Sequence, residues 1–437
     1  MDSKLLLACV AAERGFPVIL GSRHYIHFVA HKIERGLYLA KGGGPEQRAF
    51  EILRRFGHEI VAFDVDGLVR VPDHEYYRMR MTEQAISRIS HMLAWGQDDA
   101  QMFQGFPDYP GTPIHVVGNP RIDLTRPDLR GYYDPEVNAL RERYGDFVQI
   151  NANFAGINNI MPSHSKERIA AEREGPALEG QYSKDHSVHR LALFERFVEL
   201  VPAISKAFPK LTIVVRPHPL ENHESYIKAA SSCPNVQITN EGNILPWLLA
   251  ARATISNGCT STVESYLAGT PSLGYYPITD ELHDLELPKA VARCCFDEGS
   301  LFEALTDVVE GRFVSKDDGA TAARVARHVA ALDGRLSSDR IVDVFESAGY
   351  LERRPSAGSW TARLKGHFKN RRRTARSRER MALTKTDHKK ILHEHRFPEI
   401  SAEEIQSRVD RFRATTGRFE GVVVEPHSDH VFKIRVP

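Results

Sequence analysis

Leu211-Thr212-Ile213-Val214-Val215-Arg216-Pro217-His218-Pro219 sets a short apolar, β-branched run against a stiff polar exit. Such a run, bounded by turn residues, reads as a strand buried on both faces, and its two prolines rigidify the loop that leaves it. Upstream, Leu191, Phe194, Phe197, Val198 and Val201 form one stripe of a long amphipathic helix over 186–208. Residues 147–151, 236–239, 253–256 and 272–275 read as further strands, with short helices at 245–250 and 261–267. Strands alternating with helices imply a parallel sheet covered on both faces.

The first part of the chain repeats the pattern. A helix over 5–13 stops at Gly15 and the run Val18-Ile19-Leu20 follows. A helix over 49–56, a strand over 59–63, a helix over 76–90 and strands over 92–95 and 114–117 come next, closed by Gly118-Asn119-Pro120. The expected architecture is α/β: two tandem Rossmann-like, doubly wound domains over 1–135 and 136–350 with a cleft between them, and a basic helical tail over 351–437. A Rossmann lobe normally opens with a strand, but here a helix begins directly after Met1. The first domain is therefore expected to lack its first strand, by loss or because the chain starts late.

Composition narrows the function classes. Among 437 residues, 42% are hydrophobic and 26% charged, as in globular proteins, and Lys+Arg exceed Asp+Glu only by 58 to 57, so the whole chain announces no polyanion partner. Cys9, Cys233, Cys259, Cys294 and Cys295 lack metal-type spacing and read as reduced thiols of a cytoplasmic protein. No apolar run reaches the roughly 18 residues of a membrane span, and the N-terminus does not resemble a signal peptide.

Three loops carry candidate chemistry. At the exit of 211–215, Arg216 and His218 supply donors suited to phosphate oxygens, where ligands of open α/β sheets sit. In Ser256-Asn257-Gly258-Cys259-Thr260-Ser261-Thr262-Val263-Glu264, a glycine turn feeds a hydroxyl-rich helix start, an anion site in which Glu264 can accept from ribose hydroxyls. Asp64-Val65-Asp66-Gly67 follows strand 59–63 and offers two carboxylates as base or nucleophile, and spacing alone does not choose between Asp64 and Asp66. The sequence has no P-loop, no GxGxxG, no zincin pair and no GxSxG elbow.

Asp2-Ser3-Lys4-Leu5-Leu6-Leu7-Ala8 with Glu13-Arg14-Gly15, Gly118-Asn119-Pro120-Arg121-Ile122-Asp123, Asn151-Ala152-Asn153-Phe154, the Arg216–Pro219 loop and the 257–264 segment resemble the bacterial surface carbohydrate biosynthesis proteins, as do His395-Arg396-Phe397-Pro398 and Glu403-Glu404-Ile405. More distantly, the His-Pro loop and hydroxyl-rich helix start are similar to those of capsule Kdo transferases and bacterial sialyltransferases, which are CMP-sugar-dependent. That resemblance implies donor phosphate on His218, Ser261 and Thr262 and a catalytic Asp66 before Gly67, although two adjacent acids are not present here. The 118–123 segment also resembles one in UDP-N-acetylglucosamine 2-epimerases. The expectation is a metal-independent, GT-B-type glycosyltransferase without cofactor. It takes a nucleotide-sugar donor bound by Arg216, His218, Asn257, Gly258, Thr260, Ser261, Thr262 and Glu264, and a glycan or lipid-linked acceptor. Alternatives are a 2-epimerase-like enzyme, a polyol-phosphate transferase or a non-catalytic assembly scaffold.

Between Arg363 and Arg380 stand nine Lys or Arg and one acid, Glu379. Trp360, Leu364 and Phe368 recur every four residues just upstream. This basic helix, with Arg371, Arg372 and Arg373 at its centre, suits an anionic membrane surface and places the enzyme peripherally at the inner face of the cytoplasmic membrane. Nucleic acid is not an expected partner.

Overall fold

The computed structural model describes residues 1–42, 47–69, 71–160, 181–315, 318–352, 355–356, 359–383 and 399–437. They fall into two units, one built from Met1–Tyr132 with the chain from Ala323 onward, the other from Tyr133–Ala322. Both are Rossmann-like α/β units, each with its own parallel sheet.

In the first unit the strands are β1 (Val18–Gly21), β2 (Leu37–Ala40), β3 (Glu59–Phe63), β4 (Ile89–Ala94) and β5 (Ile114–Val116). Strands β2 to β5 lie side by side in chain order, all parallel. Phe50, Leu53 and Phe56, at helical spacing on Gln47–Phe56, pack on Ile60 and Ala62 of β3 and Met92 of β4. Two expectations change. The single helix over 76–90 is two, Asp73–Arg80 and Glu83–Ile86, because the Thr82 hydroxyl accepts from the Ala85 N–H and starts a new helix. And β1 does not join the parallel sheet. β2 hydrogen-bonds directly to β3, leaving no vacant place between them among the described residues.

The second unit contains β6 (Phe147–Asn151), β7 (Thr212–Arg216), β8 (Val236–Ile238), β9 (Ala253–Ser256), β10 (Ser272–Tyr275) and β11 (Arg293–Cys295). Its order, β11-β10-β9-β6-β7-β8, places the first strand centrally, winds two strands to one side and then three to the other. The switch point, where ligands of such sheets bind, lies between the exits of β6 and β9. The helix Gln181–Ala207 buries Phe194, Phe197, Leu200 and Val201 against Ile150, Val215 and Ile255, fixing the sheet from one face.

The C-terminal segment, expected as a separate tail, is part of the first unit's packing. Strands β12 (Val423–Ser428) and β13 (Val431–Arg435) form a hairpin, and β13 pairs antiparallel with β1, Val18 opposite Ile434. The helix Ala402–Thr416 starts on a Ser401 cap and lays Phe412 on the Tyr132 ring at 4.0 Å. Side chains from earlier in the chain hold this region and the helix Ser337–Ser347 that precedes it. Asp2 pairs with Arg408 at 2.7 Å. Glu13 binds Arg418 at 2.6 Å, and Arg14 reaches Asp343 at 2.7 Å and Glu346. The Asp123 carboxylate, fully buried, accepts from the Ser337 and Ser338 N–H groups at 2.8 and 3.0 Å and so caps the helix Ser337–Ser347. The adjacent Gly118, at φ +83°, leaves room for the Ala330 carbonyl, which a Cβ would meet at 2.5 Å.

Asp123→Ala would leave those buried N–H groups without an acceptor and is expected to lower stability by roughly 2 to 3 kcal/mol. Urea unfolding of the variant checks this, and an unchanged midpoint contradicts the capping role. A second outcome concerns His27, buried against the Tyr38 hydroxyl at 2.9 Å, whose pKa burial lowers from 6.5 to about 3. Below pH 6.5 the unfolded chain takes up a proton that the folded one refuses. The site's contribution is thus complete above pH 6.5 and declines as pH falls toward 3, by at most about 1.4 kcal/mol per unit. His27→Gln should flatten the fall in urea midpoint between pH 6.5 and 5.

Candidate functional site

In the second unit three loops leave the sheet at one height, because Ile150 of β6 stands opposite Val215 of β7 on one side and Ile255 of β9 on the other. The β6 and β7 loops are locked together by Glu221. Its buried carboxylate accepts from the Phe154 N–H at 2.7 Å, the His218 N–H at 3.1 Å and the Tyr226 hydroxyl at 2.9 Å. The Ala152 N–H adds a bond to the Arg216 carbonyl at 3.1 Å.

This lock orients His218. The ring Nδ1 accepts from the Leu220 N–H at 3.2 Å, which leaves the ring proton on Nε2 and makes that atom a donor. His218 is half-buried. Arg216, expected beside it, goes elsewhere. Its guanidinium donates to the Glu241 carbonyl at 2.9 Å and lies 4.4 Å over the Trp247 ring, and burial lowers its pKa to about 10. Packing between strand and helix, not access to an anion, is what that geometry serves.

At the β9 exit, Asn257 is only 6% exposed, yet neither Oδ1 nor Nδ2 of its amide has a hydrogen-bond partner. A buried amide left open costs on the order of 1–3 kcal/mol and calls for an explanation. Gly258 follows at φ +84°, with the buried Tyr276 hydroxyl 3.5 Å from where its Cβ would stand, and that hydroxyl is likewise unpaired. The helix Thr260–Leu267 then begins, its first N–H groups directed back toward this turn. Thr260 and Ser261 are half-buried at the helix start, with Ser261 in contact with the Cys259 sulfur at 2.8 Å. Thr262 and Glu264 are fully buried, and the Thr262 hydroxyl pairs with Ser256. The expected roles of Thr262 on phosphate and Glu264 on ribose therefore do not match their positions. The Thr262 hydroxyl ties the helix start to the end of β9.

Two groups around this turn escaped the sequence reading. Arg190, on the helix Gln181–Ala207, donates to the Asn153 carbonyl and lies 4.5 Å over the Phe154 ring, while burial lowers its pKa against the pull of Cys259, Glu221 and Asp284. Asp284 binds His189 at 3.2 Å and Lys289 at 2.9 Å, and the Lys289 ammonium lies 5.3 Å over the Tyr276 ring. Asp284 follows β10 at a distance that no spacing rule marks. Arg190 was detectable only as a cation off the apolar stripe of its helix.

In the first unit the structure separates the two aspartates. Asp64 is buried and bonded on every side: its carboxylate accepts from the Asp66 N–H at 2.9 Å and from the Tyr76 hydroxyl, and its carbonyl accepts from the Trp95 indole. It shapes the loop. Asp66 has a side chain 45% exposed and pairs with Lys41 at 2.6 Å. Burial alone would raise its carboxyl, but the Lys41 hydrogen bond, with Arg80 and Arg121 nearby, outweighs it and holds the group below the usual carboxylate value. Asp66 is thus ionised and accessible, whereas Asp64 is buried and its carboxylate is occupied by hydrogen bonds. Residues 395–398 of the expected C-terminal motif lie outside the described residues.

No family model and no curated protein matches the chain. Solved structures similar to it include UDP-GlcNAc 2-epimerase from Neisseria meningitidis bound to UDP-GlcNAc, at 14% identity and TM-score 0.42, over 71% of this chain and 76% of that one. The wall teichoic acid polymerase TagF with CDPG is similar at 11% identity and TM-score 0.46, over 72% and 73%. Anabaena Alr3699/HepE in complex with UDP-glucose is similar at 13% identity and TM-score 0.39, over 74% and 81%.

Glu221→Ala would strip the acceptor from two backbone N–H groups and a tyrosine hydroxyl at once. A loss of roughly 3 to 5 kcal/mol is expected, and Glu221→Gln, which keeps one acceptor oxygen, should lose less. Equal unfolding midpoints for the two variants would contradict the lock.

Proposed function

We propose that the chain is a GT-B-type, metal-independent glycosyltransferase. It transfers a sugar from a nucleotide-linked donor to a surface polysaccharide or lipid-linked glycan on the cytoplasmic side of a membrane. The observation that carries this is Asn257: an open, buried amide at the switch point of a six-stranded Rossmann-ordered sheet, beside a glycine turn and a helix start. A nucleotide supplies what that corner lacks. Its base or ribose can satisfy the Asn257 amide and the Tyr276 hydroxyl, while its phosphates take the Thr260 and Ser261 N–H groups and the His218 Nε2 proton. Arg190 adds positive charge on the same side and stabilises the leaving phosphate as the sugar departs. Asp66 is the general base for the acceptor hydroxyl. An ulosonic acid from a CMP donor fits a site with this donor set, and so do UDP- and CDP-linked groups.

Thermal-shift titration with CMP, CDP-glycerol and UDP-sugars tests the reading and separates the donor classes. Stabilisation by one class is expected, reduced roughly tenfold or more in affinity by Asn257→Ala. Asp66→Asn should retain that binding while nucleotide release from the donor slows by roughly 100- to 10,000-fold. Undiminished turnover would remove Asp66 from the chemistry. Conversion of UDP-GlcNAc without any acceptor would replace the transferase with an epimerase.

A further inference from the structure

The helix Trp360–Leu383 has two faces of different character, both within the first unit. One is seated. Gly366 lies against the helix Gln47–Phe56 so closely that a Cβ there would stand 3.1 Å from Arg55 and Phe56, Asn370 is buried, and Lys369 pairs with Glu51 at 2.5 Å. On the other, Trp360, Leu364 and Phe368 are 74%, 48% and 62% exposed. At about 100° per residue these three fall within a quarter-turn of one another and directly opposite the seated face. Arg371 shares that sector, Lys365 and Arg372 border it, and all three are exposed; Arg378, also exposed, lies 5.4 Å over the Phe28 ring. Three large apolar side chains on successive turns, held outward by a helix clamped from behind, are costly to leave in water.

Beside this stripe the same helix walls a cavity of about 290 Å³ with Arg363 and His367, and His31, Lys32 and Arg35 complete it across from one acid, Glu34. The His31 Nδ1 is buried there without a partner. Cations and imidazoles converging on an open hollow suit a phosphodiester.

We infer that this face is a docking surface for an anionic phospholipid bilayer: Trp360, Leu364 and Phe368 enter the acyl boundary, the flanking arginines meet the anionic headgroups, and a headgroup phosphate occupies the cavity. Charge complementarity selects this occupant, since, apart from Lys369 paired with Glu51, six exposed cations of the described helix residues (Arg363, Lys365, Arg371, Arg372, Arg376, Arg378) stand against one exposed acid, Glu379. No helix among the described residues is long and apolar enough to cross a membrane, and an in-plane helix does not need to be.

Sedimentation of the full chain with phosphatidylcholine vesicles, with and without roughly one third phosphatidylglycerol, tests this. Binding is expected only with phosphatidylglycerol, falling steeply with added salt. Trp360→Ser/Leu364→Ser/Phe368→Ser should lose about tenfold or more in vesicle affinity while keeping its unfolding midpoint, because the changed side chains lie off the seated face. Arg371→Glu/Arg372→Glu should abolish the preference for anionic vesicles. The inference is overturned if the wild type stays in solution with phosphatidylglycerol vesicles, or if the triple variant binds them as well as the wild type. It is equally overturned if that variant converts a dimer to a monomer without any vesicle binding, or if the helix retains RNA but not lipid. None of these readouts uses donor turnover, so they stand apart from the proposal for the nucleotide site.

Discussion

The arrangement at the sheet's carboxyl edge depends on one buried carboxylate. Glu221 accepts from the backbone of two different loops, Phe154 after β6 and His218 after β7, and from the Tyr226 hydroxyl. Loops are the softest part of an α/β unit, and the ones that must present ligand groups are the ones that most need fixing. With Glu221 in place the His218 ring has one orientation and one donor atom. The β6 loop, which borders the switch point, also has one path. Without it the proposed phosphate site has no defined shape.

Around that fixed edge the polar groups divide into two sets. Arg216, Thr262, Glu264 and Asp64 are chemically attractive residues at strand exits or helix starts, yet each is buried, and Arg216, Thr262 and Asp64 are bonded within the protein to Glu241, Ser256 and Tyr76. His218, Thr260, Ser261 and Asp66 sit in the same motifs and keep access to solvent. Asn257 belongs to neither set. It is buried and engaged with nothing, and this makes it the residue whose position a ligand explains best.

Much of the fold was legible. Apolar runs between turn residues located β3, β6, β7, β9 and β10 nearly to the residue, since strands buried on both faces carry a signal independent of partners. The C-terminal region was not. Its strands β12 and β13 carry charged and polar residues because one face is solvated, and their register depends on β1, more than 400 residues away in the chain. For the same reason β1 looked like one more parallel strand. The site was legible at the level of loops but not of side chains: a motif names the strand exit, while burial decides whether an arginine meets a ligand or a tryptophan. The pieces Glu13-Arg14 and Asp123 resembled family signatures, and what they do is hold the helix Ser337–Ser347, through Arg14 and Asp123, and the C-terminal segment, through Glu13 and Arg418, within the first unit.

The most direct measurement is a crystal structure of the chain grown with a saturating nucleoside diphosphate or its sugar. The account predicts the nucleotide at the exits of β6 and β9, with the Asn257 amide hydrogen-bonded to it and a phosphate oxygen within about 2.7–3.2 Å of the His218 Nε2 and the Thr260 or Ser261 N–H. A nucleotide bound elsewhere, with the Asn257 amide still open, would contradict it.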